Sequence, residues 1–402
     1  MRENERTEGI PDTDMHNQKL GLNGTLRPVE VVFVGQIPPP YHGQAVMMAA
    51  LLERTYCAIR LHHVPLAFSR VMSDMGRLRL SKLVHLPFVV GRIWQIRVRY
   101  GAQVLYYPPA GPYIVPIMRD IGVLLPTRPL FRTTVFHFHA GGLGAFLPHL
   151  PAPLRLLAHV AYWQPNLAIR NSTAAPDDGA ALGARTEAVI PCGIDDAIPE
   201  GPPQRSPLEG RPARLLFVGV LQPTKGVLVL VEAVRQLLRA GYDVTADLVG
   251  SPISPAFEAR LREVIVASGL SERVQLHGVL TGPAKDAAYR AADIFCFPTH
   301  KSETLGVVVI EAMQYGLPVV ATRWRGVVDL VKPGDNGLLI PPCDPHALAS
   351  AIAELLDDPE ELQRMGAAGR AIYLERFTLD RYRANVEAAL VSAWNLAQTA
   401  TR

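Results

Sequence analysis

Short apolar runs alternate with amphipathic stretches along this 402-residue chain, and the alternation occurs in two separate blocks. In the first block the runs are Val29–Gly35, Ile59–Val64, Gln103–Tyr107, Thr133–His139, Asn166–Arg170 and Thr186–Pro191. Helical periodicity lies between them, as in Gln44–Arg54 and Leu154–Trp163. In the second block they are Arg214–Gly219, Val244–Gly250, Val274–Gly278, Asp293–Pro298, Pro318–Thr322 and Gly337–Ile340. Gly226–Ala240, Pro255–Ser268, Ala284–Ala292 and Leu305–Tyr315 carry helical spacing between those. Strand–helix alternation predicts parallel sheets with right-handed crossovers. The fold class expected is therefore α/β, with two doubly wound domains.

The proline- and glycine-rich stretch 198–212 cannot continue a helix or a central strand and marks a linker. The expected organisation is a loose tail (1–27), a first domain (28–197), the linker (198–212), a second domain (213–376) and a closing helical segment (377–402). A terminal helix with no sheet of its own is expected to cross back and brace the first domain. Ligands of doubly wound sheets sit beyond the carboxyl ends of the strands, so two facing domains make the cleft between them the expected site. Residues 35–44, 139–142, 219–226 and 299–306 then line it.

Composition narrows this picture only slightly. Apolar residues are 49% and charged residues 19%, which supports packed cores rather than global disorder. The first residues lack the apolar region of a secretory signal, and no apolar run is long enough to span a bilayer, so a cytoplasmic location is expected. Cys57, Cys192, Cys296 and Cys343 are scattered and form no metal-ligand spacing. They are expected as reduced thiols packed like small apolar residues. Net charge is +3, too little to imply nucleic acid.

The strongest chemical signal is Ser302-Glu303-Thr304-Leu305-Gly306 leading into Glu311-Ala312-Met313. Two carboxylates straddle the start of an apolar helix. A helix N-terminus offers unpaired N–H groups and a positive dipole end to a diphosphate. Gly306 allows close backbone approach, Glu303 can accept from sugar hydroxyls, and Glu311 from a ribose. Lys225 stands after a strand, beside the next helix, where a mobile ammonium can reach a phosphate. Gly43 opens a helix after a stiff proline loop and could face the diphosphate from the other domain. His137 and His139 share a strand face, and His139, beside two glycines, is the one expected to meet the cleft. No third ligand adjoins them, so hydrogen bonding to a sugar is expected rather than metal binding. Asp12-Thr13-Asp14 lies in the tail and is expected to be solvated charge.

Residues 70–100 carry Arg70, Arg77, Arg79, Lys82, Arg92, Arg97 and Arg99 against the single acid Asp74, interleaved with apolar residues and Trp94. Pro87 is expected to split the segment into two helices. Either an anionic membrane surface or the first sheet could receive its apolar side.

Together, Phe217-Val218-Gly219 with Lys225-Gly226, Glu303 through Met313, Gly316 through Thr322, and Asn336 through Pro342 resemble the family 4 glycosyltransferases, retaining enzymes of GT-B architecture: two Rossmann-like domains facing across a cleft. The resemblance covers Arg214 to Phe377 closely. In the first half it is thinner, through Gly35, Gly43, His139 and Pro191 to Asp195. It implies transfer of a sugar from a nucleoside diphosphate to an acceptor hydroxyl, without metal or other cofactor. It implies that Glu303 holds donor-sugar hydroxyls, that the amides of Thr304, Leu305 and Gly306 bind the distal phosphate, and that Glu311 holds the ribose. Lys225 would neutralise the leaving diphosphate, Gly43 would touch it from across the cleft, and His139 would lie beside the sugar. The catalytic set is then His139, Lys225 and Glu303. A lipid-linked saccharide acceptor, at the inner face of the plasma membrane in cell-envelope or exopolysaccharide assembly, is the expected setting. Three positions depart from the family: Val220 replaces an arginine, His42-Gly43 replaces paired glycines, and Cys192 replaces an asparagine. Arg323 or Arg325 could supply the missing cation. A nucleotide-sugar isomerase or epimerase on the same architecture, or a binding protein that has lost catalysis, are the alternatives.

Overall fold

The computed structural model describes residues 27–39, 43–66, 80–203, 208–301 and 305–399. The Asp12-Thr13-Asp14 triplet, most of the tail, His42, residues 70–79 of the basic segment, Glu303 and Thr304 lie outside the described residues.

Among the described residues, twelve strands form two parallel six-stranded sheets. The first holds β1 (Val29–Gly35), β2 (Ile59–Pro65), β3 (Val104–Tyr107), β4 (Thr133–Phe138), β5 (Leu167–Arg170) and β6 (Thr186–Val189), in the order β2-β1-β3-β4-β5-β6. The second holds β7 (Ala213–Val218), β8 (Val244–Val249), β9 (Val274–Gly278), β10 (Ile294–Phe297), β11 (Val319–Thr322) and β12 (Gly337–Ile340), in the order β12-β11-β10-β7-β8-β9. Helices longer than one turn are, in the first domain, α1 (Gly43–Leu52), α2 (Leu80–Tyr100), α3 (Ile114–Thr127) and α4 (Ala152–Tyr162). In the second they are α5 (Val227–Arg239), α6 (Pro255–Ala267), α7 (Gly282–Ala291), α8 (Val307–Gln314), α9 (Pro345–Asp357) and α10 (Pro359–Arg376), followed by α11 (Leu379–Thr399).

Both faces of the first sheet are buried, as a parallel sheet requires. Successive residues of β1 point to opposite sides. Val31 and Phe33 pack with Met47, Met48 and Leu51 of α1, while Val32 and Val34 pack against α2, α3 and α4. Helix α2 buries Val89, Ile93 and Ile96, a stripe at helical spacing. It is one helix with Pro87 inside, not the two pieces expected from the sequence. One proline removes a single backbone hydrogen bond, and the packing of the whole stripe outweighs that local loss.

The chain passes between the domains twice, and the two passages are tied together. Ile194 N donates to Phe377 O at 3.0 Å, and Leu379 N donates to Ile194 O at 2.8 Å. A Cβ at Gly193 would sit 2.4 Å from Thr378 O, so this approach is closed to larger residues. Arg370 locks the crossing: its guanidinium meets both oxygens of Asp196 at 2.8 and 2.7 Å and also donates to Gln314 O and Ile198 O. Helix α11 then lies on the first domain. Glu387 Oε1 accepts from Ala58 N at 2.7 Å, and Arg383 Nε donates to Ala50 O at 2.8 Å.

All four cysteines are free. Cys192 and Cys296 are buried, but Cys57 and Cys343 are exposed, against the expectation that all would pack inside. Both sit in turns rather than in strands or helices, so no core face claims them.

Candidate active site

In each sheet the strand order reverses once, between β1 and β3 and between β7 and β10. Such a reversal sends neighbouring loops to opposite sides and opens a crevice at the carboxyl ends of the strands. The loops after β7 and β10 carry Lys225 and the approach to Glu303.

These two loops are bonded to each other. His300 N donates to Thr224 O at 3.0 Å, and Thr299 Oγ1 to the same oxygen at 3.3 Å. Pro223–Lys225 forms one tight turn ended by Gly226 at φ 75°. A Cβ on Gly226 would fall 2.1 Å from Pro298 O, so only glycine fits between the loops. The Lys225 Nζ stands 5.7 Å from the centroid of the Phe297 ring. Gly306, at φ 90°, caps α8 against the same ring, its absent Cβ 3.2 Å from Phe297 Cε1. One buried aromatic side chain thus brings the lysine and the start of α8 together. Leu305 is buried beside them. Val220 is exposed on the loop between β7 and Lys225, and Arg323 and Arg325 are exposed just beyond β11.

Glu311 lies on α8 with its side chain one-fifth exposed, and both its oxygens have protein partners. Lys285 Nζ donates to Oε1 at 2.7 Å and Tyr289 OH to Oε2 at 2.7 Å. Burial, followed by the Glu311 charge, pushes the Tyr289 hydroxyl far above its ordinary pKa, so it stays a donor. Lys285 and Tyr289 were not singled out in the sequence. The signal was their spacing of four on α7, which puts both on one helix face.

Across the cleft, β4 ends at Phe138 and His139 follows. Its ring stacks on His137 at 4.2 Å between centroids and 23° between planes. His137 is fully buried. Tyr106 OH lies 2.5 Å from its Nδ1, and its Nε2 is 3.0 Å from Asn171 Oδ1. The tyrosine hydroxyl, whose pKa burial raises strongly, donates to Nδ1, so the Nε2–H donates to the amide oxygen and the ring is neutral. Burial pushes the His137 pKa down to about 4, against a smaller opposing effect of the Asn171 bond. The glycine loop after His139 is held by Asp178, whose carboxylate accepts from Gly142 N at 2.8 Å and Gly144 N at 2.7 Å. Helix α1 begins at Gly43, and the space where a Cβ would project is open for 4 Å.

The domains also touch directly in front of this region. Asp329, after β11, accepts from Ser172 Oγ at 2.7 Å, Thr173 N at 2.6 Å and Thr173 Oγ1 at 2.7 Å, all just beyond β5. Beside this contact a cleft of about 440 Å³ is lined from both domains, by Asn171, Pro191, Leu305, Lys332, Arg376 and Phe377 among others. Among the described residues no group of three or more His, Cys, Asp or Glu could hold a metal ion.

Residues 202–372, which contain the Lys225 loop, α8 and Asp329, match the family model described as Glycosyl transferases group 1. Over these residues the chain is similar to the group 1 glycosyltransferases. A D-inositol 3-phosphate glycosyltransferase of Corynebacterium efficiens is 39% identical over 153 residues, which cover 37% of this chain and 36% of that protein. A phosphatidyl-myo-inositol mannosyltransferase of Mycobacterium leprae is 33% identical over 181 residues, 45% of this chain and 47% of that protein. The matches thus span about a third to a half of these relatives' length. The architecture extends further than the sequence similarity. The Anabaena protein HepE, solved with UDP and glucose, superimposes on 90% of this chain and 100% of its own at TM-score 0.66 and 20% identity. Residues 202–372 therefore sit in a GT-B fold, with the first domain as its second wall.

Proposed function

We propose that this protein transfers a sugar, with retention, from a nucleoside diphosphate to an acceptor hydroxyl. The observation that carries the reading is the convergence of Lys225 and the Gly306 end of α8 on Phe297, at the strand-order reversal of a domain similar to the group 1 glycosyltransferases. HepE's bound UDP supports a nucleotide-sugar donor, and the D-inositol 3-phosphate glycosyltransferase relative supports sugar transfer.

In this reading the bond between the anomeric carbon and the diphosphate oxygen breaks as the acceptor oxygen bonds the same carbon. The acceptor proton passes to the departing phosphate on the same face. Lys225 and the amides of Thr304, Leu305 and Gly306 meet the charge that develops on the diphosphate, with no metal required. Glu303 orients the donor sugar, Glu311 the ribose, and Gly43 approaches the phosphates from α1. His139, held flat by the neutral His137, lies beside the sugar. The acceptor we propose is a lipid-linked saccharide of cell-envelope or exported-polysaccharide assembly. The family-model match lies in the second domain, residues 202–372, and acceptor choice is assigned to the first domain.

The test is transfer assayed over a panel of nucleotide sugars, identified first by thermal shift. Lys225→Ala and Glu303→Gln are each expected to lower kcat by roughly a hundredfold or more, the usual loss for a group that stabilises transition-state charge. Their melting temperatures should match wild type. Transfer at the wild-type rate by both variants refutes the assignment. An isomerised donor formed without acceptor would replace the reading with epimerase chemistry.

A further inference from the structure

From Met75 to Pro176 the sequence holds eleven lysines and arginines and one acidic residue, Asp120. That acid is buried, bonded by Tyr107, Tyr162, Ala110 N and Arg119. No carboxylate of this stretch therefore reaches the surface, although the whole chain is only +3.

The fold collects this stretch on one side. Helices α2, α3 and α4 cover the sheet face opposite α1 and α11, and they lie side by side. Backbone carbonyls, not carboxylates, tie them together. Trp94 Nε1 donates to Pro126 O at 3.1 Å, Arg97 Nε to Leu130 O at 2.9 Å, and Arg128 to Ala161 O at 2.9 Å and Gln164 O at 2.8 Å. The arginines thus keep their full charge while the layer is held rigid. Large apolar side chains stand outward from the same layer: Phe88 is 70% exposed, Val98 84%, Leu156 65% and Val160 58%. Scattered singly they would be ordinary, but here they stand with Arg92, Arg132 and Arg155 on a helical layer that exposes no carboxylate of its own.

Between the carboxyl ends of α3 and α4 the layer opens into a cavity of about 490 Å³. Arg128, Arg132, His159, Trp163 and Arg185 line it, and none of its lining residues is acidic. Burial, and to a smaller extent the neighbouring Arg185 charge, brings the Arg128 pKa down to about 10.

We propose that the outer face of α2, α3 and α4 docks on an anionic lipid bilayer, with apolar side chains in the headgroup boundary and the arginine-lined cavity receiving a lipid phosphate. Charge complementarity selects this occupant. Apolar groups interleaved with cations match an interface that is both anionic and oily, whereas a second copy of the chain would set like charges against each other. Helix α3 follows β3 after a six-residue loop, so the exposed Tyr113, its N-cap, and Ile114, its first residue, stand at the cleft end of the layer. The cavity lies at the other end of the layer, beside the amino ends of β4, β5 and β6, so the docked face runs the length of the helices. The inference stands apart from the transfer reading, and its failure would leave that reading intact.

The test is co-sedimentation of the full chain with vesicles of phosphatidylglycerol and phosphatidylcholine, and with phosphatidylcholine alone. Binding is expected to the anionic vesicles only, and to weaken with salt. The triple variant Arg92→Glu, Arg132→Glu, Arg155→Glu should lower partitioning at least about tenfold. Phe88→Ser with Leu156→Ser should also weaken it, and unchanged melting temperatures confirm the fold of both. Arg262→Glu, exposed on α6 in the other domain, should bind as wild type. Absence of binding to anionic vesicles, equal binding to neutral ones, or equal loss in Arg262→Glu would overturn the proposal. So would sedimentation velocity showing a dimer that the triple variant dissociates, which would make the face a contact between copies.

Discussion

His137 shows how a single buried side chain sets a functional neighbour. Its ring is clamped by Tyr106 and Asn171 and gives His139 a flat surface to stack on. Burial holds the neutral form, against a smaller opposing effect of the Asn171 bond, so the native His137 pKa of about 4 lies below the ordinary 6.5. The consequence for stability has a definite sign. Above about pH 6.5 the residue is neutral in both folded and unfolded chains and adds no pH dependence. Below that, the unfolded chain takes up a proton that the folded one refuses, so stability is lost as pH falls from 6.5 towards 4. The loss attributable to this residue should be on the order of 3 kcal/mol by pH 4. Urea unfolding of wild type and His137→Asn across this range checks it: the two stabilities should converge as pH falls. Parallel curves would mean that the imidazole does not stay neutral.

At the scale of elements, the pairing of α7 with α8 decides how Glu311 is presented. A carboxylate at this point of α8 could swing freely, but Lys285 and Tyr289 fix one oxygen each. Each oxygen keeps a second lone pair free to accept from a hydroxyl. Helix α7 therefore acts as a splint, and the rigid stack of Tyr289 on Tyr315, 5.0 Å apart, holds the splint to α8's end. Lys285→Ala is expected to raise the donor KM about tenfold while leaving kcat within about twofold, as loss of a charge-assisted bond in ground-state binding predicts. Lys285→Arg should recover most of that loss. A kcat that falls as far as KM rises would instead put Lys285 in the transition state.

At the scale of the whole molecule, the two domains are joined by a hinge and a latch. The hinge is the pair of crossings tied through Ile194, Thr378 and Arg370. The latch is Asp329 on Ser172 and Thr173. Burial alone would raise the Asp329 pKa, yet the hydrogen bonds from Ser172 and Thr173 outweigh it and hold the carboxyl below its ordinary range. Because the latch is partly exposed and made of a few hydrogen bonds, it suits a contact that opens and closes. Asp329→Ala should enlarge the radius of gyration of the free protein in small-angle scattering, and a nucleotide-sugar donor should restore it. Its donor KM should rise by roughly threefold to tenfold, the equivalent of one or two net hydrogen bonds. An unchanged scattering profile would show that the hinge alone fixes the closed shape.

Periodicity by itself determined the strands, the parallel class and the position of the glycines at loop ends, because burial on both sheet faces and the sterics of positive φ act on the chain locally. The GT-B resemblance of 214–377 was legible for the same reason: its motifs are continuous runs whose loops touch their own strands. What the sequence left open is what distant segments do to each other. Pro87 looked like a break because its cost is local, while the packing that overrides it comes from a sheet assembled elsewhere in the chain. Lys285 reaches Glu311 across 26 positions, and Ser172 reaches Asp329 across 157. The layer that exposes no carboxylate of its own was half visible as a basic segment, but only the side-by-side packing of α2, α3 and α4 made it one face. Such contacts depend on the register between elements, which hydrophobic spacing does not encode and three-dimensional packing decides.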